Sequence, residues 1–352
     1  MSLPTPLIGA TLLVAAACSV SSPSPTPSPS PTPEALRPLE LTLKVGTPGA
    51  SPDGSVITIE DTRQGALTFF DRNGVQMGSV GGLALGVQSA WLPDSSGLLV
   101  AKGPRNGFDL VVVESNGSLT KLPLRNALPS TVRASPNGRL IAAAAGDIVI
   151  VARDGTDYVI VPDTNGASLV GWDARGGLVY REGRLVHGLG ANTFVAPLPD
   201  DVTDDPNALL AGMASPDGKV NVVLFKNDQA RALFVIGDRI TEGHAIFSGW
   251  VGSHEMLTRH NGEWFVDDPV AGTAERAPVP TSASILRAFK DTIVWTTTAR
   301  DAVHVTNIRT GRERMVQDVP LTSLFIVPLG TNGLLAYSEG RAWVVDLGGL
   351  TA

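Results

Sequence analysis

Short runs of apolar residues alternate with turns rich in Gly, Asp and Asn along most of the chain. Residues 56–59 and 66–70 form one pair of such runs, and residues 98–101 and 110–113 form the next. Apolar runs of this length, bounded by turn residues, predict β-strands. No stretch shows the sustained 3.6-residue periodicity of an amphipathic helix. The pattern therefore predicts an all-β protein.

One turn sequence recurs almost unchanged, as Ala-Ser-Pro followed by Asp or Asn and then Gly. Pro suits the second position of a tight turn, Asp or Asn tolerates the third, and Gly accepts the positive φ that follows. Degenerate copies lie between the clear ones and after them. The eight copies start at Ala50, Trp91, Ala134, Trp172, Ala214, Trp250, Phe289 and Pro328. Their spacing averages about 40 residues, which is typical of propeller blades.

Each period reads as four strands joined by short turns, and such units repeated around an axis form a β-propeller. Eight central hairpins predict a single propeller of eight four-stranded blades, with seven blades as the alternative. The last unit lacks an outer strand, because the chain stops soon after Asp346. Residues 39–45 are the candidate for that strand. They would close the ring and remove two exposed sheet edges.

The N-terminus begins with an apolar run, residues 7–17, which is shorter than the roughly 20 residues of a transmembrane helix. Its length fits the apolar region of a signal peptide. The run ends in three alanines before Cys18, a pattern that resembles the lipobox of bacterial lipoproteins. The resemblance implies that Cys18 carries acyl chains such as palmitate. Ala15 stands where the family usually has Leu, and a plain secretory signal is the alternative.

Proline alternates with Ser or Thr over residues 23–33, which favours an extended polyproline II spacer of roughly 34 Å. We therefore divide the chain into a signal peptide (1–17), the lipidated Cys18 with a disordered Pro/Ser/Thr-rich linker (18–38), and the propeller domain (39–352). This organisation predicts an extracytoplasmic protein anchored to the cell membrane, on the outer face or in the periplasm.

The charge of the chain argues against a nucleic-acid partner. Its formal net charge is −7, so it lacks the basic footprint that phosphate backbones attract. The chain has one cysteine, which excludes an intrachain disulfide. No cofactor is predicted.

The Ser-Pro-Asp-Gly turns, with apolar residues or Trp before them, resemble the repeats of TolB-like propellers, which are similar to WD40 repeats. The resemblance covers about residues 39–348 and is strong in three copies and weak in five. It implies the propeller fold and, for the family, function through protein partners. This chain has more repeats than the six-bladed family pattern, so the resemblance supports the propeller fold better than it supports the family's partners.

Catalytic motifs are absent from the sequence. It contains no Gly-x-Ser-x-Gly, and His254-Glu255 is not followed by the histidine of a metalloprotease helix. The five histidines are assigned to different blades and interpreted as solvated or core residues, with no metal site predicted. These are His187, His244, His254, His260 and His304.

One acidic loop and a set of arginines form the predicted ligand face. The acidic loop connects two units, and its carboxylates are Asp200, Asp201, Asp204 and Asp205. These carboxylates could hold Ca²⁺, but the loop lacks the glycine-punctuated pattern of a calcium loop, so we interpret it as a solvated loop and predict no metal site. Loops between second and third strands share that face and carry Arg63, Arg105, Arg181, Arg300 and Arg341. Acidic neighbours of these arginines (Asp61, Glu182, Asp301 and Glu339) predict a rim of mixed charge.

The leading functional prediction is a non-enzymatic, membrane-anchored propeller that binds a protein or glycan of the cell envelope. The alternative is a hydrolase, of lactonase or glycosidase type, whose site lies in the propeller channel. That reading requires carboxylates or a metal contributed by several blades. A third reading is a sensor of a small ligand or ion, which predicts a thermal shift on addition of Ca²⁺.

Overall fold

The computed structural model of the chain describes residues 34–36, 39–84, 89–104, 107–125, 127, 131–190, 193–199, 209–225, 232–243, 246–297, 302–316, 325–330 and 333–347. The chain divides into two compact units, residues 1–32 and 33–352. All described residues belong to the second unit. Within them the regular structure is β-strand, as the apolar pattern predicted.

Two strands precede the first blade: β1 (Glu34–Leu36) and β2 (Leu39–Thr42). Blade 1 contains β3 (Thr47–Ala50), β4 (Val56–Asp61), β5 (Ala66–Asp71) and β6 (Gln76–Gly81). Blade 2 contains β7 (Ala90–Trp91), β8 (Leu98–Lys102), β9 (Asp109–Val113) and β10 (Leu119–Arg125). Blade 3 contains β11 (Arg133–Ala134), β12 (Leu140–Ala145), β13 (Asp147–Ala152) and β14 (Val159–Val161). Blade 4 contains β15 (Ser168–Trp172), β16 (Leu178–Glu182), β17 (Leu185–Leu189) and β18 (Phe194–Pro197).

The second half of the ring repeats this plan. Blade 5 contains β19 (Leu209–Ala214), β20 (Asn221–Phe225), β21 (Ala232–Ile236) and β22 (Arg239–Gly243). Blade 6 contains β23 (Ile246–Trp250), β24 (Met256–His260), β25 (Glu263–Asp268) and β26 (Thr273–Arg276). Blade 7 contains β27 (Ser284–Phe289), β28 (Thr292–Thr296), β29 (Val303–Asn307) and β30 (Glu313–Val316). Blade 8 contains β31 (Phe325–Pro328), β32 (Gly333–Ser338) and β33 (Arg341–Asp346), with β2 as its fourth strand.

Eight blades are therefore confirmed, and the repeat marks their inner strands. Each of the eight predicted copies starts at the last residue of the first strand of its blade, as Trp172 does in β15 and Phe289 in β27. First strands of neighbouring blades contact one another, for example β15 with β19 and β31 with β3. These strands therefore surround a central channel. We name the strands of a blade A to D from the channel outward.

Up-and-down blades place their connections on two opposite faces. The A–B and C–D turns share one face, here called the AB face. The B–C turns and the D–A connections share the other, here called the BC face.

The ring is closed by the strand that the sequence suggested. β2 pairs antiparallel with β33, with Leu39 opposite Val344 and Thr42 opposite Arg341. Next to it, the buried Tyr337 hydroxyl donates to Lys44 O at 2.8 Å and accepts from the amides of Gly46 at 3.0 Å and Gly340 at 3.1 Å. We call this group the seam, because it joins blade 8 to the chain that leads into blade 1.

An additional strand was not predicted. β1 pairs in parallel with β30, so blade 7 has five strands, with Glu34 opposite Arg314 and Leu36 opposite Val316. Residues 34–36 belong to the segment predicted as linker. A segment of this chain thus adds a strand to the outer edge of a blade.

The hydrophobic core lies between blades rather than inside them. Leu99 and Val112 of blade 2 pack with Ile141 and Val151 of blade 3 in one buried cluster. A similar cluster joins blades 7 and 8, and another joins blades 8 and 1 across the seam. Burying one such side chain stabilises the fold by about 1.5–3 kcal/mol. Each blade therefore depends on its two neighbours for stability.

Candidate functional site

The repeated turns of the AB face have one hydrogen-bond pattern. In blade 1 the Ser51 hydroxyl donates to Asp53 Oδ1 at 2.6 Å and accepts from the Val56 amide at 3.0 Å. The pattern recurs around Ser135 with Asn137 and around Ser215 with Asp217. All three serines are buried. The motif is therefore explained by local structure, since each of its serines has both a donor and an acceptor for its hydroxyl.

Charged side chains of the AB face join neighbouring blades. His254 of blade 6 places Nδ1 2.8 Å from Asp217 Oδ2 in the turn of blade 5, and its Nε2 lies 3.6 Å from Asp268 Oδ2. Arg309 of blade 7 pairs with Glu255 of blade 6 and, at 2.9 Å, with Asp291 Oδ1 of its own blade. Blades 5, 6 and 7 are thus linked by polar side-chain contacts in addition to their shared core.

These contacts shift the acidic groups toward their charged form. Burial alone would raise the pKa of Asp217, but hydrogen bonds from His254, the Lys219 amide and Ser215 lower it. Burial also opposes ionisation of Glu255, whose pKa is lowered mainly by the hydrogen bond and charge of Arg309. Both carboxylates therefore stabilise the fold when they are ionised.

A cavity of about 540 Å³ lies in the channel wall where blades 7, 8, 1 and 2 meet. Its lining comes from the inner strands β27, β31, β3 and β7 and from the second strand of blade 1. We call it the channel cavity, and its lining residues include Thr47, Gly49, Thr58, Glu60, Ser89, Trp91, Arg287 and Val327.

Glu60 is the only carboxylate among the described residues that line the channel cavity. Burial raises its pKa, against the effect of a hydrogen bond donated by Ser89 Oγ to Glu60 Oε2 at 3.4 Å. A raised carboxylate pKa in a cleft is typical of binding and catalytic sites.

Two further side chains that line this cavity, Arg287 and Trp91, have no hydrogen-bond partner among the described residues. Arg287 is exposed on β27 and has no hydrogen bond or ion pair within the described part of the chain. The Trp91 indole nitrogen is buried without an acceptor among those residues. By contrast, Trp172, at the same position of blade 4, donates to Arg133 O at 2.9 Å. Buried donors without an acceptor are rare in proteins and call for an explanation.

Gly49 allows the channel cavity to reach the second layer of the blade. A Cβ atom at Gly49 would lie 2.6 Å from Thr58 Oγ1, which is closer than real contacts allow. With glycine at this position of the inner strand, Thr58 of strand β4 lines the cavity. The cavity therefore offers hydroxyl groups from Thr58 and Ser89 beside the charges of Glu60 and Arg287.

The predicted arginines of the BC face differ in their surroundings. Arg63 is exposed, and its side chain has no partner within the described ranges. Arg181 is 3% exposed, and its Nε donates to Gly183 O at 2.7 Å. Arg341 pairs with Glu40 of the closing strand and lies over Trp343, with Cζ 5.5 Å from the ring centroid. The structure therefore presents Arg63 to solvent, encloses Arg181 and uses Arg341 at the closure of the ring.

The other predicted site residues lie outside the described residues. They are Cys18, Arg105, Arg300, Asp200, Asp201, Asp204 and Asp205. Their roles in lipidation and at the ligand face stay predictions.

The assignment of the histidines to different blades was wrong, because His254 and His260 both belong to blade 6. Two others stack on the aromatic residue directly opposite on the neighbouring strand. His187 stacks on Tyr180 with ring centroids 4.9 Å apart, and His304 stacks on Trp295 at 4.1 Å. His244 lies outside the described residues. Those described do not line the channel cavity.

Among the described ranges there is no group of three or more His, Cys, Asp or Glu side chains that could hold a metal ion. The described residues also include no helix of the length and hydropathy needed to cross a membrane.

Sequence reasoning missed both Glu60 and Arg287. The missed signal was Arg287 itself, two residues before the Phe289 marker, in a strand whose other residues are apolar except for Ser284. An inner strand lines the channel, so a charged residue at such a position faces the channel or the neighbouring blade. Glu60 carried no comparable signal, because it lies near the end of a second strand.

The fold defines an eight-bladed β-propeller, and WD40 propellers and TolB are among its structural neighbours. The C-terminal WD40 domain of Sif2 is 12% identical, aligns over 90% of this chain and 100% of that chain, and has a TM-score of 0.58. The Cps50 (Swd1) propeller domain from Myceliophteria thermophila is 13% identical over 87% and 98% of the two chains, with a TM-score of 0.46. TolB from Acinetobacter baumannii is 12% identical over 62% and 59%, with a TM-score of 0.39. No family model and no curated protein matches the chain. At 12% identity, the likeness to the Sif2 domain shows the fold alone.

Proposed function

We propose that this protein is a non-enzymatic, membrane-anchored extracytoplasmic propeller that binds an envelope protein through the channel cavity. The observation that carries the proposal is that Arg287, which has no partner among the described residues, lines the same cavity of about 540 Å³ as Trp91 and Glu60. Membrane anchoring rests on the sequence, through the apolar run at 7–17 and Cys18.

The groups in the channel cavity suit binding better than hydrolysis. A glycosidase needs two carboxylates on either side of the scissile bond, whereas the described lining provides Glu60 alone. Ser89 donates to Glu60, but no histidine is among the described residues that line the cavity and could activate a serine nucleophile. The inner strands contain no Asp, Glu, His or Cys at any position. Arg287 and the hydroxyls are instead suited to recognising a carboxylate and neighbouring polar groups.

A single segment of a partner protein supplies groups that bind both Arg287 and Glu60. An acidic side chain or a C-terminal carboxylate pairs with Arg287, and a backbone or side-chain N–H donates to Glu60. Glycans offer hydroxyl groups to Glu60 but pair with Arg287 only if they carry an acidic sugar. The second candidate is therefore an acidic glycan of the envelope, and the same arginine distinguishes it from neutral glycans.

The test is cross-linking of the full-length protein in cells, followed by affinity capture and mass spectrometry. Arg287→Glu is compared with the wild type and with Arg72→Glu, a matched control. Arg72 is an exposed arginine in the C–D turn of blade 1, on the AB face. We expect a dominant envelope protein that is captured by the wild type and by Arg72→Glu and is reduced about tenfold by Arg287→Glu.

Equal capture by all three proteins would contradict the assignment of the channel cavity. Recovery of no specific protein, with acidic envelope glycan bound by the wild type and lost in Arg287→Glu, would replace the protein partner by the glycan. If neither an envelope protein nor an acidic glycan binds the wild type in a way that depends on Arg287, the binding function of the cavity is refuted.

A further inference from the structure

The outer strand of blade 3 differs from every other outer strand of the ring. The outermost strands of blades 1, 2 and 4–8 each contain a charged residue, a glycine or a proline. β14 contains none of these and reads Val-Ile-Val. Proteins normally protect exposed strand edges with such residues, because an apolar edge pairs readily with another strand. β14 has only three residues, so its shortness is the one protection of this kind that it retains, and no charged residue, glycine or proline within the strand adds to it.

Two of the three side chains of β14 are exposed as well as apolar. Val159 and Ile160 are 54% and 53% exposed, and Tyr158, just before the strand, is 49% exposed, whereas Val161 is buried. In an ordinary strand with one solvated face, alternate residues would be polar. Here consecutive residues are apolar and exposed, so both faces of the strand present apolar surface to solvent.

The end of β14 is fixed in place. The buried Thr164 hydroxyl donates to Val161 O at 2.7 Å and accepts from the Ile148 amide at 2.7 Å. Its three residues also pair in register with β13. The edge is therefore preformed, and a binding strand would not have to order it first.

The surroundings of β14 are acidic. Between residues 154 and 168 the charged side chains are Asp154, Asp157 and Asp163, all exposed. A cleft of about 730 Å³ between blades 2 and 3 continues from Asp157 and is also lined by Asp94 and Glu114. The lining also includes two arginines: Arg139, which is exposed, and Arg153, which lies 3.5 Å from Glu114 and 3.9 Å from Asp94. The four carboxylates of the lining outnumber these two cations.

We propose that β14 is a docking edge for an extended, basic segment of a partner protein, which adds a strand to blade 3. Apolar side chains of the segment would pack on Val159 and Ile160, and its Lys or Arg residues would pair with Asp157 and Asp163. Blade 7 already receives an added strand in this molecule, because β1 pairs along β30. The site is independent of the channel cavity.

The charges argue against a second copy of this chain as the occupant. In an antiparallel pair of two β14 strands, Asp157 of one copy would lie opposite Asp163 of the other. Like charges directly opposite each other on paired strands are destabilising. A basic segment has the opposite effect at both ends of the strand.

The probe is a fluorescent peptide of four Lys-Val repeats, compared with one of four Glu-Val repeats, titrated against the full-length protein in detergent. Ile160→Lys is the test variant. Val195→Lys is its control, because Val195 is 57% exposed on β18, the outer strand of blade 4. A double variant, Asp157→Asn with Asp163→Asn, tests the charges without changing the apolar edge.

We expect the Lys-Val peptide to bind the wild type and to protect amides of residues 158–161 from hydrogen exchange. Its affinity should fall about tenfold in Ile160→Lys and severalfold in the double variant, and stay unchanged in Val195→Lys. The Glu-Val peptide should not bind. The proposal is overturned if Ile160→Lys and Val195→Lys bind equally, if protection appears elsewhere, or if no binding is found up to about 1 mM. Self-association that is lost in Ile160→Lys would also overturn it, in favour of a second copy.

Discussion

The AB-face turns and the seam, together called the ring framework, differ from the channel cavity in how their polar groups are satisfied. Asp217 in the framework is bonded by Ser215, the Lys219 amide and His254, and its pKa is lowered against the effect of burial. Glu60 in the cavity has a single weak bond from Ser89, and burial raises its pKa. Framework charges thus stabilise the fold at neutral pH, whereas the cavity charge opposes it. Groups that oppose stability in this way are typical of binding sites.

The largest loss of stability is expected from Tyr337→Phe, at the seam. The hydroxyl of this buried residue bonds Lys44 O and the amides of Gly46 and Gly340. Leaving such groups without partners should lower the free energy of unfolding by about 2–4 kcal/mol. Urea denaturation measures the change. Tyr158→Phe, at an exposed tyrosine, is the control and should change it by less than about 0.5 kcal/mol. Equal effects of the two variants would show that the seam does not hold the ring.

The next largest loss of stability is expected from Ser51→Ala, in the repeated turn of blade 1. Its buried hydroxyl donates to Asp53 and accepts from the Val56 amide, so its loss should cost about 1–3 kcal/mol. Ser55→Ala is the matched control in the same turn, because Ser55 is exposed although it also bonds Asp53. Thermal unfolding compares the two. If Ser55→Ala costs as much as Ser51→Ala, burial of the hydroxyl is not the reason for the motif.

A smaller loss of stability, which depends on pH, is expected from Asp217→Asn. The folded pKa of Asp217 lies below its usual value of 3.8, so its contribution is present above that pH and is lost as the pH falls through the folded pKa. At pH 7 the variant should lose about 1 kcal/mol, a value limited by solvent screening. The difference from the wild type should shrink below about pH 4. A difference that grows below about pH 4 would contradict a lowered pKa for Asp217.

The fold followed from the sequence because its signals are local. The Ser-Pro-Asp-Gly turns recur because each serine is bonded within five residues of its own position, so the motif can be read without the rest of the chain. The closing role of residues 39–42 followed from counting strands. β1 could not be predicted in this way, because its three residues gain a partner only from β30, far along the chain.

The channel cavity required contacts that no local pattern encodes. Glu60 and Arg287 stand in blades 1 and 7, which lie on either side of blade 8 only when the ring closes. The enclosure of Arg181 and the pairing of Arg341 with Glu40 likewise depend on register between distant strands. The positions of Arg63, Arg181 and Arg341 near the turns between second and third strands could be predicted from the sequence, whereas the surroundings of each arginine could not.

The central claim, that the channel cavity holds charge for a ligand rather than for the fold, is tested most directly by thermal unfolding of Glu60→Gln between pH 4.5 and 8. A raised carboxylate pKa gives a contribution that is present below the unfolded pKa and is lost as pH rises through the folded one. The variant should therefore unfold at a higher temperature than the wild type at pH 7.5. We expect a gain below about 1 kcal/mol that shrinks toward pH 4.5. A lower unfolding temperature for Glu60→Gln at pH 7.5 would contradict the account, because it would place Glu60 in the ring framework.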